Sequence, residues 1–96
     1  MDDLQFTWDP AKARSNERKH RVSFPEAATA FLDPLSVTIP DPRHSAGERR
    51  FVLIGESDRG RLLVIVHLDH GDEIRLISAR RATHHEQEAY EEEDIQ

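Results

Sequence analysis

Apolar residues recur at Phe24, Ala27, Ala28 and Phe31, the i, i+3, i+4, i+7 spacing of one helix face. Ser23-Phe24-Pro25-Glu26 is an S-x-x-E capping box that starts this helix, and Asp33-Pro34 ends it. From Ser36 the period shortens to two. Strands are predicted over Ser36–Ile39, Arg49–Glu56, Arg61–Leu68 and Glu73–Ala79, with turns at Ser57–Gly60 and His70–Asp72. Strict alternation places Leu62, Val64, Val66 and Leu68 opposite Arg61, Leu63, Ile65 and His67, and in the last strand Ile74, Leu76 and Ser78 opposite Arg75, Ile77 and Ala79. A second capping box, Thr83-x-x-Glu86, opens a C-terminal helix that runs to about Glu92.

One segment does not follow either apolar pattern. Asp9-Pro10 is a helix start, with Asp as the N-cap and Pro at the first position, but the helix it opens reads P-A-K-A-R-S-N-E-R-K-H. Between Pro10 and Arg21, Lys12, Arg14, Arg18, Lys19 and Arg21 face one acid, Glu17, and the apolar side chains besides Pro10 are Ala11 and Ala13. A helix without an apolar stripe is either held by its flanks and solvated, or presents its surface to a polyanion or a reacting group. Phe6-Thr7-Trp8, before it, is a short strand or an anchoring segment. Short turns imply antiparallel pairing, so the expected fold is α+β: N-terminal helices, an antiparallel sheet of about four strands with one face left open, and a C-terminal helix.

Ninety-six residues suit a single domain, residues 1–96, with a modest core. The net charge of −6 is unevenly placed: the last 14 residues hold six of the 19 acids and none of the 13 Lys and Arg, which leaves residues 1–82 neutral. A neutral body with local basic clusters is compatible with nucleic-acid binding. The acidic tail, about residues 91–96, is either a solvating end or a docking segment for a basic partner. The absence of cysteine excludes disulfides and thiolate chemistry and fits the cytoplasm. No stretch approaches transmembrane length, and Met-Asp-Asp-Leu is not a secretory signal.

The residues that can hold an anion are Arg75, Arg80 and Arg81 together with Lys19 and His20, because the planar guanidinium fork grips phosphate with two parallel hydrogen bonds. Arg80-Arg81 is read as falling between the last strand and the N-terminus of the last helix, which adds a second attraction for an anion. Paired surface arginines bridging to the acidic tail are the plainer alternative. His84, His85 and Glu88 have helical spacing, but no full metal-ligand set is present, so no metal site is assigned. The serines sit at caps and turns without a nucleophile elbow.

Taken together the chain resembles the BrnT family of type II toxin–antitoxin toxins over roughly residues 6–90. The resemblance rests on Phe6-x-Trp8-Asp9-Pro10-x-Lys12-Ala13, Asn16, Lys19-His20-x-Val22-Ser23-Phe24-x-Glu26-Ala27, Phe31 and Asp33-Pro34. It continues through Asp41, His44, Glu48, Arg50, Ile54-Gly55, Leu62-Leu63-Val64, Ile74-Arg75-Leu76-Ile77-Ser78-Ala79-Arg80-x-Ala82-Thr83, Glu86 and Tyr90. One position departs: the family usually has glycine after Lys-His, where this chain has Arg21.

The resemblance implies a RelE-like fold and a metal-independent ribonuclease, without a cofactor, that arrests translation. It also implies a BrnA-like ribbon-helix-helix antitoxin that forms a heterotetramer with the toxin and carries operator-DNA binding. Under that reading His20 is the acid/base, since imidazole titrates near neutrality. Lys19 and Arg80 neutralise the phosphate, and Arg50, Arg75 and Arg81 grip the flanking RNA backbone. Glu48 is a base or orients an arginine, and Tyr90 either donates a proton or packs the last helix. The competing expectation is a non-catalytic binding module, a co-repressor subunit of a DNA-binding partner.

Overall fold

The computed structural model describes residues 4–41 and 49–95. The elements are β1 (Gln5–Thr7), α1 (Pro10–His20), α2 (Phe24–Thr29), a 3₁₀ turn (Ala30–Leu32), β2 (Val37–Pro40), β3 (Arg50–Glu56), β4 (Leu62–His70), β5 (Glu73–Arg81) and α3 (His84–Ile95). The strands form one five-stranded sheet in the order β1-β5-β4-β3-β2. Four strands pair antiparallel as expected, but Phe6 lies in a fifth, β1, which runs parallel to β5 with Phe6 opposite Ile74. The sheet is therefore mixed. Turn length predicts only sequential antiparallel partners, whereas β1 reaches β5 by a crossover through every intervening element.

The core forms where α1, α2 and the 3₁₀ turn meet one face of this sheet. Val22, Phe24, Ala27 and Ala30 pack on Leu53, Leu63, Ile65, Ile74, Leu76 and Ala79, with Phe6, Trp8, Ala13 and Phe31 around them. Ala30 lies off the expected Phe24/Ala27/Ala28/Phe31 stripe and is fully buried, because the last turn of that helix tightens to 3₁₀. There its carbonyl presses on β3: a Cβ added at Gly55 would sit 2.9 Å from the Ala30 oxygen. Gly55 is thus the residue that lets helix and sheet backbones meet.

Alternation holds along β4 but not along β5. Val66 pairs with Ser78 while His67 pairs with Leu76, so Ile77 is the extra residue of a β-bulge. The bulge moves Ala79 onto the core face with Ile74 and Leu76, and moves Ser78 off it. It also carries Arg80 to the opposite, open face, since Arg80 pairs with Val64. Both Arg80 and Arg81 lie inside β5 rather than beyond it, on opposite faces.

The basic helix α1 is held by polar contacts. Asp9 accepts from the Ala11 N–H at 3.0 Å as N-cap. Buried Asn16 donates to the carbonyls of Val22 (3.0 Å) and Ala79 (2.8 Å) and accepts from the Ala79 N–H (3.0 Å), which satisfies its amide. Arg21 closes the helix at φ 59°, ψ 31°, the left-handed conformation a glycine adopts without strain, with its N–H on the Glu17 carbonyl. Arg61 braces this corner: its guanidinium donates to the Arg21 carbonyl (3.0 Å) and through Nε to Glu26 (2.9 Å). Buried Glu26 also accepts from the Ser57 hydroxyl at 2.7 Å, and the Arg61 bonds hold its carboxyl below the usual range against the opposing effect of burial. Glu26 therefore does not reach back to Ser23, and the first capping box is only half formed, by Ser23 Oγ accepting from the Glu26 N–H.

Candidate active site

The open face of the sheet is a row-by-row product of the pairing. Arg50, Leu68 and Arg75 lie across one row; Ile39, Val52, Val66 and Ser78 across the next; Val37, Ile54, Val64 and Arg80 across the third. The middle of this face is a cavity of about 560 Å³. Its floor is Ile39, Val52, Val64 and Val66, and its rim is His20, Asp41, Ser78, Arg80 and Glu86. Apolar floor and polar rim together suit a ligand with a flat apolar body and a charged edge.

His20 reaches the rim from the last turn of α1, and Arg80 reaches it from β5. They stand sixty positions apart in sequence, and Asn16 brings them together by tying α1 to β5 at Ala79, next to Arg80. Lys19 does not line this cavity. Successive helix residues turn by about 100°, so Lys19 and His20 leave α1 in different directions, and Lys19 is exposed. Arg50 and Arg75 flank Leu68 one row away. Arg50 Nε stands 3.5 Å from Asp41, so Asp41 joins that row to the cavity rim. Arg81 is exposed on the other face of β5 from Arg80. Glu48 and His44 lie outside the described residues.

Three rim residues were not in the sequence-derived set: Asp41, Ser78 and Glu86. Glu86 has the largest effect. It accepts from Arg80 Nη1 at 2.9 Å and Nη2 at 2.8 Å, a two-point pair across the guanidinium tip. Thr83 completes a full capping box with it, Thr83 N–H to Glu86 Oε1 at 2.9 Å and Glu86 N–H to Thr83 Oγ1 at 3.2 Å. The Arg80 bonds, helped by the Thr83 N–H, pull the Glu86 carboxyl down from 4.5 to about 2, and Arg80 is correspondingly raised. The signal for this pair was in the sequence, since a capping-box glutamate six residues after Arg80 has one carboxylate oxygen to spare. Tyr90, by contrast, donates to Asp33 at 2.7 Å and does not line the cavity. His84 pairs with Glu88 at 3.3 Å on the exposed surface of α3.

The fold and the chain have known counterparts. The fold matches the crystal structure of the Brucella abortus ribonuclease toxin BrnT with a TM-score of 0.65, over 83% of this chain and 97% of that one, at 22% identity. No curated protein matches the sequence. A family model described as the ribonuclease toxin, BrnT, of type II toxin–antitoxin systems matches residues 8–86. That match runs from Trp8, directly after β1, to the first turn of α3, including both His20 and Arg80, and the chain belongs to the BrnT family of ribonuclease toxins.

Proposed function

We propose that this chain is a metal-independent endoribonuclease toxin of RelE-like type that cleaves RNA in the cytoplasm and thereby stops translation. The observation that carries the reading is the meeting of His20 and Arg80 on one cavity above an apolar floor. Cleavage without a metal uses the ribose 2′-OH as nucleophile. The 2′-oxygen attacks phosphorus, the P–O5′ bond breaks, and the products are a 2′,3′-cyclic phosphate and a 5′-hydroxyl. The step needs a base for the 2′-proton, cations for the phosphorane and an acid for the leaving oxygen.

His20 supplies one of the two proton transfers. Arg80 supplies the fixed positive charge: its tip is clamped by Glu86, which leaves Nε–H and the outer N–H of Nη2 as the fork for a phosphate. A base stacks on the Val52/Val64/Val66 floor. Arg50, Arg75 and Arg81 hold flanking backbone, Lys19 adds charge from the outer helix, and Glu48 is the second proton-transfer group. The partner is a BrnA-like ribbon-helix-helix antitoxin in a heterotetramer, through which operator DNA is bound.

The test is RNA cleavage by the purified chain in EDTA. Wild type cleaves; His20→Ala and Arg80→Ala lose at least 100-fold, the order of one acid/base or charge-stabilising group, with unchanged circular dichroism. Full activity in both variants removes the site, and folded wild type that leaves RNA intact removes the activity. The latter result, with antitoxin binding retained, selects the alternative of a non-catalytic co-repressor subunit, which the charge-neutralising Glu86–Arg80 pair favours.

A further inference from the structure

The five cations between Lys12 and Arg21, four in α1 and one at its C-cap, do not act as one cluster. At about 100° per residue, Arg14, Arg18 and Arg21 project on the side of the helix opposite buried Asn16, while Lys12 and Lys19 lie on one flank and His20 on the other. The three arginines, with Glu17 beside them, border their own open depression of about 570 Å³, separate from the His20–Arg80 cavity. All three are exposed, and none of their guanidiniums has a partner among the described residues.

Two features of this stripe work against the fold. Arg14 and Arg18 are like charges at i, i+4, which weakens a helix. Arg21 holds the left-handed conformation, where an arginine is strained and a glycine is not. The Arg21 side chain contributes nothing to the core in return; Arg61 grips its carbonyl, which any residue supplies. A strained, exposed cation that completes a stripe points to a ligand.

We infer that Arg14, Arg18 and Arg21 form a second, non-catalytic track for the phosphates of single-stranded RNA, continuing from the cleft at His20 over the C-terminal end of α1. Arg21 follows His20 directly, so a strand leaving the cavity meets it first. Arg14 to Arg21 spans about 10 Å along the axis, a length over which arginine side chains reach consecutive phosphates of one strand. The inference rests on RNA being the ligand of the cleft, whether or not it is cleaved there.

The experiment measures binding of the full chain to a short 2′-O-methylated single-stranded oligoribonucleotide, which cannot be cleaved through its 2′-oxygen. Fluorescence anisotropy is followed over a range of salt, and cleavage of the unmodified RNA is read alongside. Arg21→Gly suits the backbone and keeps the fold. It is expected to weaken binding about fivefold near 0.1 M salt and to lower the salt slope by about 0.7, the value of one phosphate contact. Arg14→Gln with Arg18→Gln should lose about twice that slope.

Unchanged affinity and slope in these variants overturn the track, and cleavage by wild type in that case leaves the nuclease reading standing. The stated losses without any cleavage by wild type uphold the track and refute the nuclease. Losses seen only with an acidic peptide or duplex DNA also overturn it, since the stripe then serves another partner.

Discussion

His67 is a single residue whose surroundings set a pH response for the whole chain. It is 4% exposed, with Phe31 edge-on at 4.9 Å and Phe51 stacked at 5.9 Å, and neither ring nitrogen has a hydrogen-bond partner among the described residues. Burial lowers its pKa below the ordinary 6.5, and the charge of Asp69 offsets this only in part. The folded state therefore binds fewer protons than the unfolded one below pH 6.5, and stability falls as pH drops through that value. His67→Leu, of similar volume, should remove the decline in melting temperature between pH 6.5 and 5 and stay within about 1 kcal/mol of wild type at pH 8. An unaltered pH profile in the variant removes His67 as the cause. Arg21 makes the complementary case: Arg21→Gly should raise stability by about 1 kcal/mol by relieving left-handed strain, or about 4–8 °C in a chain of this size. Nothing in the amino-acid pattern marked His67 as buried beyond its place in alternation, because its neighbours Phe31 and Phe51 reach it from other elements.

Among the elements, α3 shows how a capping signal was legible while its purpose was not. Thr83-x-x-Glu86 marks the helix start from sequence, and the helix starts there. That the same carboxylate clamps Arg80 depends on where β5 ends, two residues later than alternation and turn signals suggest. Glu86→Gln should leave Arg80 mobile and reduce stability at neutral pH. Because the Glu86 carboxyl sits near 2 in the fold against 4.5 ordinarily, its contribution is complete above pH 4.5 and disappears toward pH 2. The variant should accordingly lose less of its stability than wild type on acidification from pH 5 to 2.5, measured by thermal melts; parallel curves would show the pair to be inert. The same distinction governs β5. Its apolar content identified the strand, but the bulge at Ile77, which decides that Arg80 faces the cavity and Ala79 the core, has no glycine or proline to announce it.

At the scale of the whole molecule, the helices, the four antiparallel strands and the open sheet face follow from local pattern, and the parallel β1 does not. β1 is three residues long, and its partner lies across the entire chain. The candidate site divides along the same line. His20 and Arg80 were legible as chemistry, but their meeting depends on Asn16, whose amide reaches Ala79 on β5. That contact has a consequence beyond positioning. β1 covers the outer edge of β5 only from Glu73 to Arg75, and at Ala79 the side chain of Asn16 takes both backbone groups as a neighbouring strand would. One amide thus seals a sheet border against other chains. Asn16→Ala should cost about 2–3 kcal/mol in unpaired backbone groups and, below its melting temperature, make the size by light scattering grow with concentration more steeply than in wild type. Simple loss of stability without association would limit Asn16 to tying α1 to β5; association would make it the residue that keeps this chain from polymerising through its own sheet.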